Sequence, residues 1–277
     1  MKKMNSAICK GGGNTFLLGL GNQKCATSWL HKYLNQNSYF DGGFAKEYHI
    51  WDVLDIPIIE NKLLISMYPM RIQRMRDKML KSTDLYFDYF EWLYKDGITL
   101  SADITPAYSG LEISRLGFIK NQFAKRNIDV KAVILIREPI NRIKSAVRFN
   151  LDRQNYNEGI ESGEKVFTRA LNQYYKSEHC RIRTSYNKII SNAYKAFGEP
   201  NVYVGIYENM FELSEIEKLS DFCGVPIKRD FAKVYVNRTK NKVSHDLTLE
   251  SEIRNAYADV YSYCHDKFPI TKQLWSQ

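Results

Sequence analysis

The sequence has few cysteines, and none are spaced as a CxxC pair. The five are scattered along 277 residues and odd in number, at Cys9, Cys25, Cys180, Cys223 and Cys264. This pattern argues against a disulfide framework and against a zinc centre. It favours a reducing compartment, and we therefore predict a cytoplasmic protein.

Long apolar runs are also missing. No stretch approaches the roughly 18 continuous apolar residues that a membrane-crossing helix needs, so no transmembrane segment is predicted. The N-terminal MKKMNSAICKGGGNTF has the lysines but not the apolar region of a signal peptide. We expect residues 1–15 to be a flexible leader. Because the remainder contains no internal repeat, low-complexity tract or linker, residues 16–277 are expected to form a single α/β domain.

Acidic residues are fewer than basic residues in this sequence. The chain has 31 Asp and Glu against 40 Lys and Arg, a formal net charge of +9. A basic protein suits an anionic partner such as a nucleotide, an acidic glycan, nucleic acid or a lipid surface. Charge alone does not choose among these partners, and a basic solvated surface would explain the same excess.

The apolar pattern indicates the fold class. Phe16–Leu20, ITLSADITPAY, VKAVILIREP and NVYVGIYE read as strands, and VKAVILI has the continuous apolar character of a strand buried on both faces. Amphipathic helical segments lie between and after them, including TSYNKIISNAYKAFG and a late segment, LESEIRNAYADVYSYCHDKF. Strands that alternate with helices predict an α/β fold, a three-layer sandwich with a mainly parallel central sheet.

The segment GLGNQKCATSWLHKYL lacks the glycine that a Walker A motif has directly before its lysine. Here Lys24 follows Gln23, which weakens an NTPase interpretation. Thr27 and Ser28 open an amphipathic helix, so the predicted order is strand, tight loop, helix. Amides at such a loop and at the first helical turn can bind phosphate or sulfate, a P-loop-like turn. The alternative is a plain turn with a surface lysine.

Two further segments carry candidate functional residues. In VILIREPINRIKSAV, Arg137 ends the buried strand and Ser145 follows eight positions later. Ligands of open α/β sheets bind beyond the carboxyl ends of strands, and arginine suits phosphate, although a surface network with Glu138 is the alternative. In KEYHIWD, Glu47 and His49 share a face if the segment is extended, and could deprotonate a hydroxyl. An ordinary surface loop is the competing interpretation of KEYHIWD.

Together these motifs, in this order, resemble those of the sulfotransferases that use 3′-phosphoadenosine 5′-phosphosulfate (PAPS). KCATSWL resembles the family's phosphosulfate-binding loop, and REPINRIKS resembles its 3′-phosphate motif. KEYHIWD and DITPAY are similar to segments of the carbohydrate branch, which includes the heparan sulfate sulfotransferases. The specific similarity is confined to these short blocks. A weaker similarity continues through NVYVGIYENM and YVNRTKNK.

The resemblance implies PAPS as donor, adenosine 3′,5′-bisphosphate (PAP) as product, and no metal. Lys24 would contact the bridging oxygen between the sulfuryl group and the 5′-phosphate, and Arg137 and Ser145 would hold the 3′-phosphate. Arg238 and Lys240 belong to the loosely matching VNRTKNK. The full donor-binding set implied is Gln23, Lys24, Cys25, Ala26, Thr27, Ser28, Arg137, Ser145, Arg238 and Lys240.

The implied acceptor is a hydroxyl, on a carbohydrate or glycoconjugate, and no nucleic acid partner is expected. Glu47 would take the hydroxyl proton, with His49 orienting it or sharing the role, so the implied catalytic residues are Lys24, Glu47 and His49. Glu47, Asp52 and Asp103 are the implied substrate-binding residues, although Asp103 could equally cap a turn.

Two residues depart from the family pattern. Ala26 stands where the family has glycine, so a left-handed backbone there would cost about 1 kcal/mol or more. Ile104 in DITPAY stands where some glycan-modifying relatives carry a lysine that reaches substrate.

Two other function classes remain open. A P-loop nucleotide kinase or NTPase would need Mg²⁺ and an aspartate after a later strand, whereas VKAVILI leads into Arg-Glu-Pro. A basic nucleic-acid-binding protein would use a patch such as RIQRMRDK.

Overall fold

The computed structural model describes residues 13–58, 69–233 and 246–276. In these ranges the strands are β1 (Asn14–Gly19), β2 (Leu100–Asp103), β3 (Ile128–Ile136) and β4 (Val202–Ile206). The helices before β4 are α1 (Thr27–Leu34), α2 (Trp51–Asp55), α3 (Met70–Lys81), α4 (Asp84–Leu93), α5 (Ile113–Ala124), α6 (Pro139–Asp152), α7 (Phe167–Tyr174), α8 (Glu178–Thr184) and α9 (Tyr186–Phe197). After β4 come α10 (Leu213–Cys223), α11 (Leu247–Ala256), α12 (Ala258–Lys267) and α13 (Thr271–Leu274).

The four strands form one parallel sheet in the order β2-β1-β3-β4. In the register, Leu17 pairs with Ala102 on one side and with Lys131 on the other. From β1 the chain moves to β2 on one side, and from β3 it moves to β4 on the opposite side. The carboxyl ends of β1 and β3 therefore border the topological switch point, where open α/β sheets bind their ligands.

Helices cover both faces of the sheet. Side chains alternate along β3, so that Ile134 and Ile136 pack in a core with α4, α5 and α9, while Val133 and Leu135 pack with α1 and α10 on the other face. Both sets are fully or almost fully buried. The predicted α/β fold, with a parallel sheet between helical layers, is confirmed.

Some predicted boundaries differ. Strand β1 begins at Asn14, so the last residues of the predicted leader already pair with β2 and β3, and residues 1–12 lie outside the described ranges. The late segment expected as one helix is divided between α11 and α12 at Tyr257. Tyr257 is buried and donates hydrogen bonds to the Tyr175 carbonyl and the Cys180 Sγ, a tertiary contact that local periodicity does not report. Among the described residues, no helix combines the length and apolar character that a membrane span requires.

Candidate functional site

The loop between β1 and α1 is anchored to β3 beyond the end of β1. The amides of Leu20 and Asn22 donate to the carbonyls of Val133 and Leu135, and the Asn22 side chain donates to the Leu135 carbonyl at 3.1 Å. The turn begins at Gly21, whose φ is +98° and where a Cβ would lie 2.9 Å from the Pro106 carbonyl oxygen. The loop is thus fixed to the sheet before it reaches Lys24.

The backbone of this loop is left-handed at two residues. Lys24 has φ 71°, and Ala26, the N-cap of α1, has φ 69° and ψ 24°. Thr27 and Ser28 follow, and the first amides of a helix have no carbonyl of their own helix to donate to. The Cys25 amide, however, donates to the Asn22 carbonyl, and the Cys25 side chain is fully buried. Cys25 is therefore a structural residue of the loop rather than the anion ligand that the sequence suggested.

Ala26→Gly is expected to raise the free energy of unfolding by about 1 kcal/mol, because glycine adopts the left-handed conformation without a Cβ clash and caps a helix better than alanine. For a chain of this size the melting temperature should rise by about 2–4 °C. Ala193→Gly, inside α9, is the matched control and should lower stability by about 1 kcal/mol or more. A loss of stability in Ala26→Gly as large as in the control would contradict this account.

Lys24 belongs to a cluster of positive side chains. Its Nζ lies 4.3 Å from the centroid of the Phe149 ring, and the Arg153 guanidinium lies 4.2 Å from the same centroid. Burial, followed by the repulsion of Arg137 and Arg153, lowers the pKa of Lys24 to about 8. Such mutual repulsion indicates a place that would be stabilised by a bound anion.

Arg137 follows directly after β3 and lies over the loop. Its Nη1 donates to the Lys24 carbonyl at 3.3 Å, and its guanidinium lies 4.2 Å from the centroid of the Tyr207 ring. Within the described part of the chain, its buried Nε atom has no hydrogen-bond partner. Arg137 therefore retains donor capacity at the switch point.

Helix α6 begins two residues after Arg137 and carries Ser145, which is buried. The sequence interpretation missed Arg148, one turn further along this helix. Burial and the repulsion of Arg137 lower the pKa of Arg148, which identifies Arg148 as a neighbour in the same cationic cluster. The available signal was the helical spacing from Ser145 to Arg148.

The KEYHIWD segment brings Glu47, His49 and Asp52 together. His49 Nδ1 lies 2.7 Å from Asp52 Oδ2, and its Nε2 lies 3.2 Å from Glu47 Oε2. The segment is irregular rather than extended, and His49 has φ 53°. This turn is held by the buried Arg76 of α3, which donates to the carbonyl oxygens of Tyr48 and His49 at 2.6 and 3.2 Å. Arg76 thus belongs to the interior, although the sequence placed it in a candidate nucleic-acid patch.

The pKa values of His49 and Glu47 are both shifted by their neighbours. Burial would lower the pKa of His49, but the hydrogen bonds and charges of Asp52 and Glu47 outweigh burial and raise that pKa to about 9. Burial would raise the pKa of Glu47, but His49 and Lys46 outweigh it and lower that pKa to about 2. Near neutral pH Glu47 is therefore a carboxylate and His49 an imidazolium, and the two are in contact.

His49 should therefore stabilise the fold in a pH-dependent way. Its pKa is raised on folding, so its contribution is complete below about pH 6.5 and is lost as the pH rises through about 9. The difference in free energy of unfolding between the wild type and His49→Gln should fall by on the order of 2 kcal/mol between about pH 6 and about pH 9.5. Urea unfolding at both pH values measures this difference. A difference that does not change with pH would show that His49 is not charged in the folded protein.

The sequence interpretation also missed Lys46, the neighbour of Glu47. The Lys46 ammonium contacts Thr27 Oγ1 at 3.1 Å, Ser28 Oγ at 3.2 Å and Glu47 Oε1 at 2.5 Å. It therefore joins the start of α1 to the KEYHIWD segment. The sequence motif contained this lysine, but nothing local indicated that it reaches α1.

Two expected substrate-binding residues are internal. Asp103 and Asp52 have no exposed surface. Asp103 accepts hydrogen bonds from the hydroxyls of Thr105, Tyr108 and Tyr86 and from the Tyr48 amide. In this structure Asp52 holds His49 within KEYHIWD and Asp103 accepts from the Tyr48 amide of that segment, and neither aspartate is exposed to a substrate.

The remaining predicted residues are placed as follows. Gln23 lies in the loop with its Oε1 buried and, among the described residues, without a hydrogen-bond partner. Arg238 and Lys240 lie outside the described residues. A search of residues 13–58, 69–233 and 246–276 finds no group of three or more His, Cys, Asp or Glu side chains that could hold a metal ion.

No protein-family model matches the sequence, and no curated protein matches it. Among solved structures, the chain is similar to a sulfotransferase from Alicyclobacillus acidocaldarius, with a TM-score of 0.55 and 18% sequence identity over 92% of this chain and 96% of that chain. It is also similar to the sulfotransferase domain of the Synechococcus PCC 7002 olefin synthase, with a TM-score of 0.48 and 14% identity over 88% and 94% of the two chains. The first likeness shows that this chain has the α/β fold of the Alicyclobacillus acidocaldarius sulfotransferase.

Proposed function

We propose that the protein is a PAPS-dependent sulfotransferase that transfers a sulfuryl group to an acceptor hydroxyl on a carbohydrate or glycoconjugate. One observation carries this proposal. The Lys46 ammonium joins Glu47 to the hydroxyls of Thr27 and Ser28, so a candidate base adjoins a candidate phosphosulfate loop. A base beside an anion site is the arrangement that group transfer to a hydroxyl requires.

The cationic cluster fits a donor with two separated anionic groups. Thr27, Ser28 and the first amides of α1 would hold the 5′-phosphosulfate, at the positive end of the helix. Arg137, whose Nε has no hydrogen-bond partner in the described ranges, and Ser145 would hold the 3′-phosphate, and Arg148 adds positive charge next to Arg137. This assignment uses the two strand ends that border the switch point, the ends of β1 and β3.

The donor supplies an activated sulfuryl group. The acceptor oxygen forms a new bond to sulfur while the bond from sulfur to the bridging phosphate oxygen breaks. Glu47 takes the hydroxyl proton, and His49, held by Asp52, orients the Glu47 carboxylate. Lys24 stabilises the negative charge that collects on the departing phosphate oxygen. The products are the sulfated acceptor and PAP.

The direct test is incubation of the protein with PAPS carrying radiolabelled sulfate and with a panel of glycan, lipid and phenol acceptors. Label should move to a glycan hydroxyl, and Glu47→Gln should remove most of this transfer while PAP still binds. Transfer only to a lipid or phenol would overturn the saccharide assignment. Full turnover in Glu47→Gln would overturn the assignment of the base.

A thermal shift assay separates this function from the nucleotide kinase or NTPase alternative. PAP should raise the melting temperature without magnesium, because a ligand that binds only the folded state stabilises it. ATP with Mg²⁺ should have little effect. The opposite pattern would favour the kinase or NTPase function.

A further inference from the structure

The Lys46 ammonium contacts two sets of partners at once. On one side are Thr27 and Ser28, at the start of α1, and on the other is the Glu47 carboxylate. The side chain is 20% exposed, so it has access to solvent and to a ligand. An ammonium with three donors can satisfy these partners at once only while no stronger anion is present at α1.

The charges around Glu47 come from three parts of the chain. Lys46 and His49 lie on its own segment, and Asp52 of α2 contacts His49. The charges of Lys46 and Glu47 also act on His31 of α1: burial and Lys46 lower the pKa of His31 to about 4, against an opposing effect of Glu47. Lys46 and His49 are thus the positive groups paired with Glu47, while His31 is held neutral.

We propose that Lys46 couples anion binding at the start of α1 to the basicity of Glu47, so that a bound phosphate group draws the Lys46 ammonium away from the Glu47 carboxylate. The proposal rests on the proposed function for the identity of the anion and for the role of Glu47. Lys46 acts as a positioning residue for the base and as a direct contact of the anion.

The consequence concerns the timing of proton transfer. While it is paired with His49 and Lys46, Glu47 is a weak base, with a pKa of about 2. Loss of that pairing and the arrival of a negative group both raise the pKa of Glu47 toward the range in which a carboxylate accepts a proton readily. Occupancy of the loop by a phosphate group thus prepares the base for proton transfer.

A double-mutant cycle on PAP affinity tests this coupling without a turnover assay. The variants are Lys46→Met, Glu47→Gln and the double variant, with affinity measured by isothermal titration calorimetry at neutral pH. Glu47→Gln removes the competitor for Lys46, so it should tighten PAP binding about fivefold in the wild-type background. In the Lys46→Met background the same change should tighten binding less than about twofold.

Lys46→Arg is the matched control, since it keeps the positive charge. In the Lys46→Arg background the effect of Glu47→Gln should return toward the wild-type value. The pH dependence of kcat/KM should also change. Lys46→Met raises the pKa of Glu47 in the free enzyme, so the acidic limb of the pH profile shifts to higher pH. An equal effect of Glu47→Gln in the wild-type and Lys46→Met backgrounds overturns the coupling. Failure of PAP to bind the wild type overturns the proposed function instead, so the two failures are distinguishable.

Discussion

Lys24→Ala is expected to lower kcat about 1000-fold while weakening donor affinity less than about tenfold. The negative charge on the departing phosphate oxygen is largest in the transition state, so a cation at that oxygen contributes mainly to rate. The backbone of Lys24 lies in a loop fixed to β3, and its carbonyl accepts a hydrogen bond from Arg137. Single-turnover kinetics with PAPS and the labelled acceptor, together with PAP affinity, measure both quantities.

The pH dependence of the same variant series gives an independent check. Burial and the charges of Arg137 and Arg153 hold the pKa of Lys24 near 8 in the unliganded protein. Because kcat/KM reports ionisations of the free enzyme, it should fall as the pH rises through about 8. Lys24→Arg should retain part of the rate and lose this alkaline limb, since arginine stays protonated. An unchanged kcat in Lys24→Ala would exclude Lys24 from the chemistry.

Arg137→Ala is expected to weaken PAP binding about 100- to 1000-fold, because it removes charge-assisted hydrogen bonds to a phosphate. The affinity for adenosine 5′-phosphate, which lacks the 3′-phosphate, should change less than about threefold. Calorimetric titration of both nucleotides against both proteins measures this difference. Comparing the two ligands separates loss of one phosphate contact from general damage to the site.

A matched control removes a positive charge far from the proposed site. Lys188 of α9 is exposed and pairs with Glu112, so Lys188→Ala should leave the affinity for both nucleotides unchanged. If Arg137→Ala weakened both nucleotides equally, Arg137 would not be the 3′-phosphate ligand. If Lys188→Ala matched the effect of Arg137→Ala, net charge alone would account for binding.

The fold could be predicted from the sequence because the relevant signals are local. The apolar run of β3 and the glycine turn after β1 identify a buried strand and a strand-loop-helix unit before any tertiary contact is known. The alternation of strands and helices then restricts the topology to a parallel sheet with helices on both faces. The split at Tyr257 was missed because its cause, burial against Tyr175 and Cys180, is not local.

The site could be predicted only in part, for the same reason. KEYHIWD identified Glu47 and His49 as neighbours, but the left-handed turn at His49 depends on Arg76, which is 27 residues away. Asp103 accepts hydrogen bonds from Tyr108 of its own motif and from Tyr86 of α4, and the sequence around Asp103 does not indicate the contact with Tyr86. Long-range contacts of this kind decide whether a polar residue faces the interior or a ligand.

The unfavourable backbone conformation at Ala26 could be anticipated from the sequence. Alanine in place of glycine was expected to be unfavourable only if the loop needed a positive φ, and the loop has φ 69° at that residue. The positive φ at Lys24, two residues before Ala26, had no sequence signal, since lysine has no preference for the left-handed region.

The proposed function is tested most directly by a crystal structure of the protein with PAP bound. The 5′-phosphate should lie at the start of α1, within hydrogen-bond distance of Thr27 and Ser28, and the 3′-phosphate should contact Arg137 and Ser145. Nucleotide bound elsewhere, or a 3′-phosphate that Arg137 does not contact, would contradict the proposal.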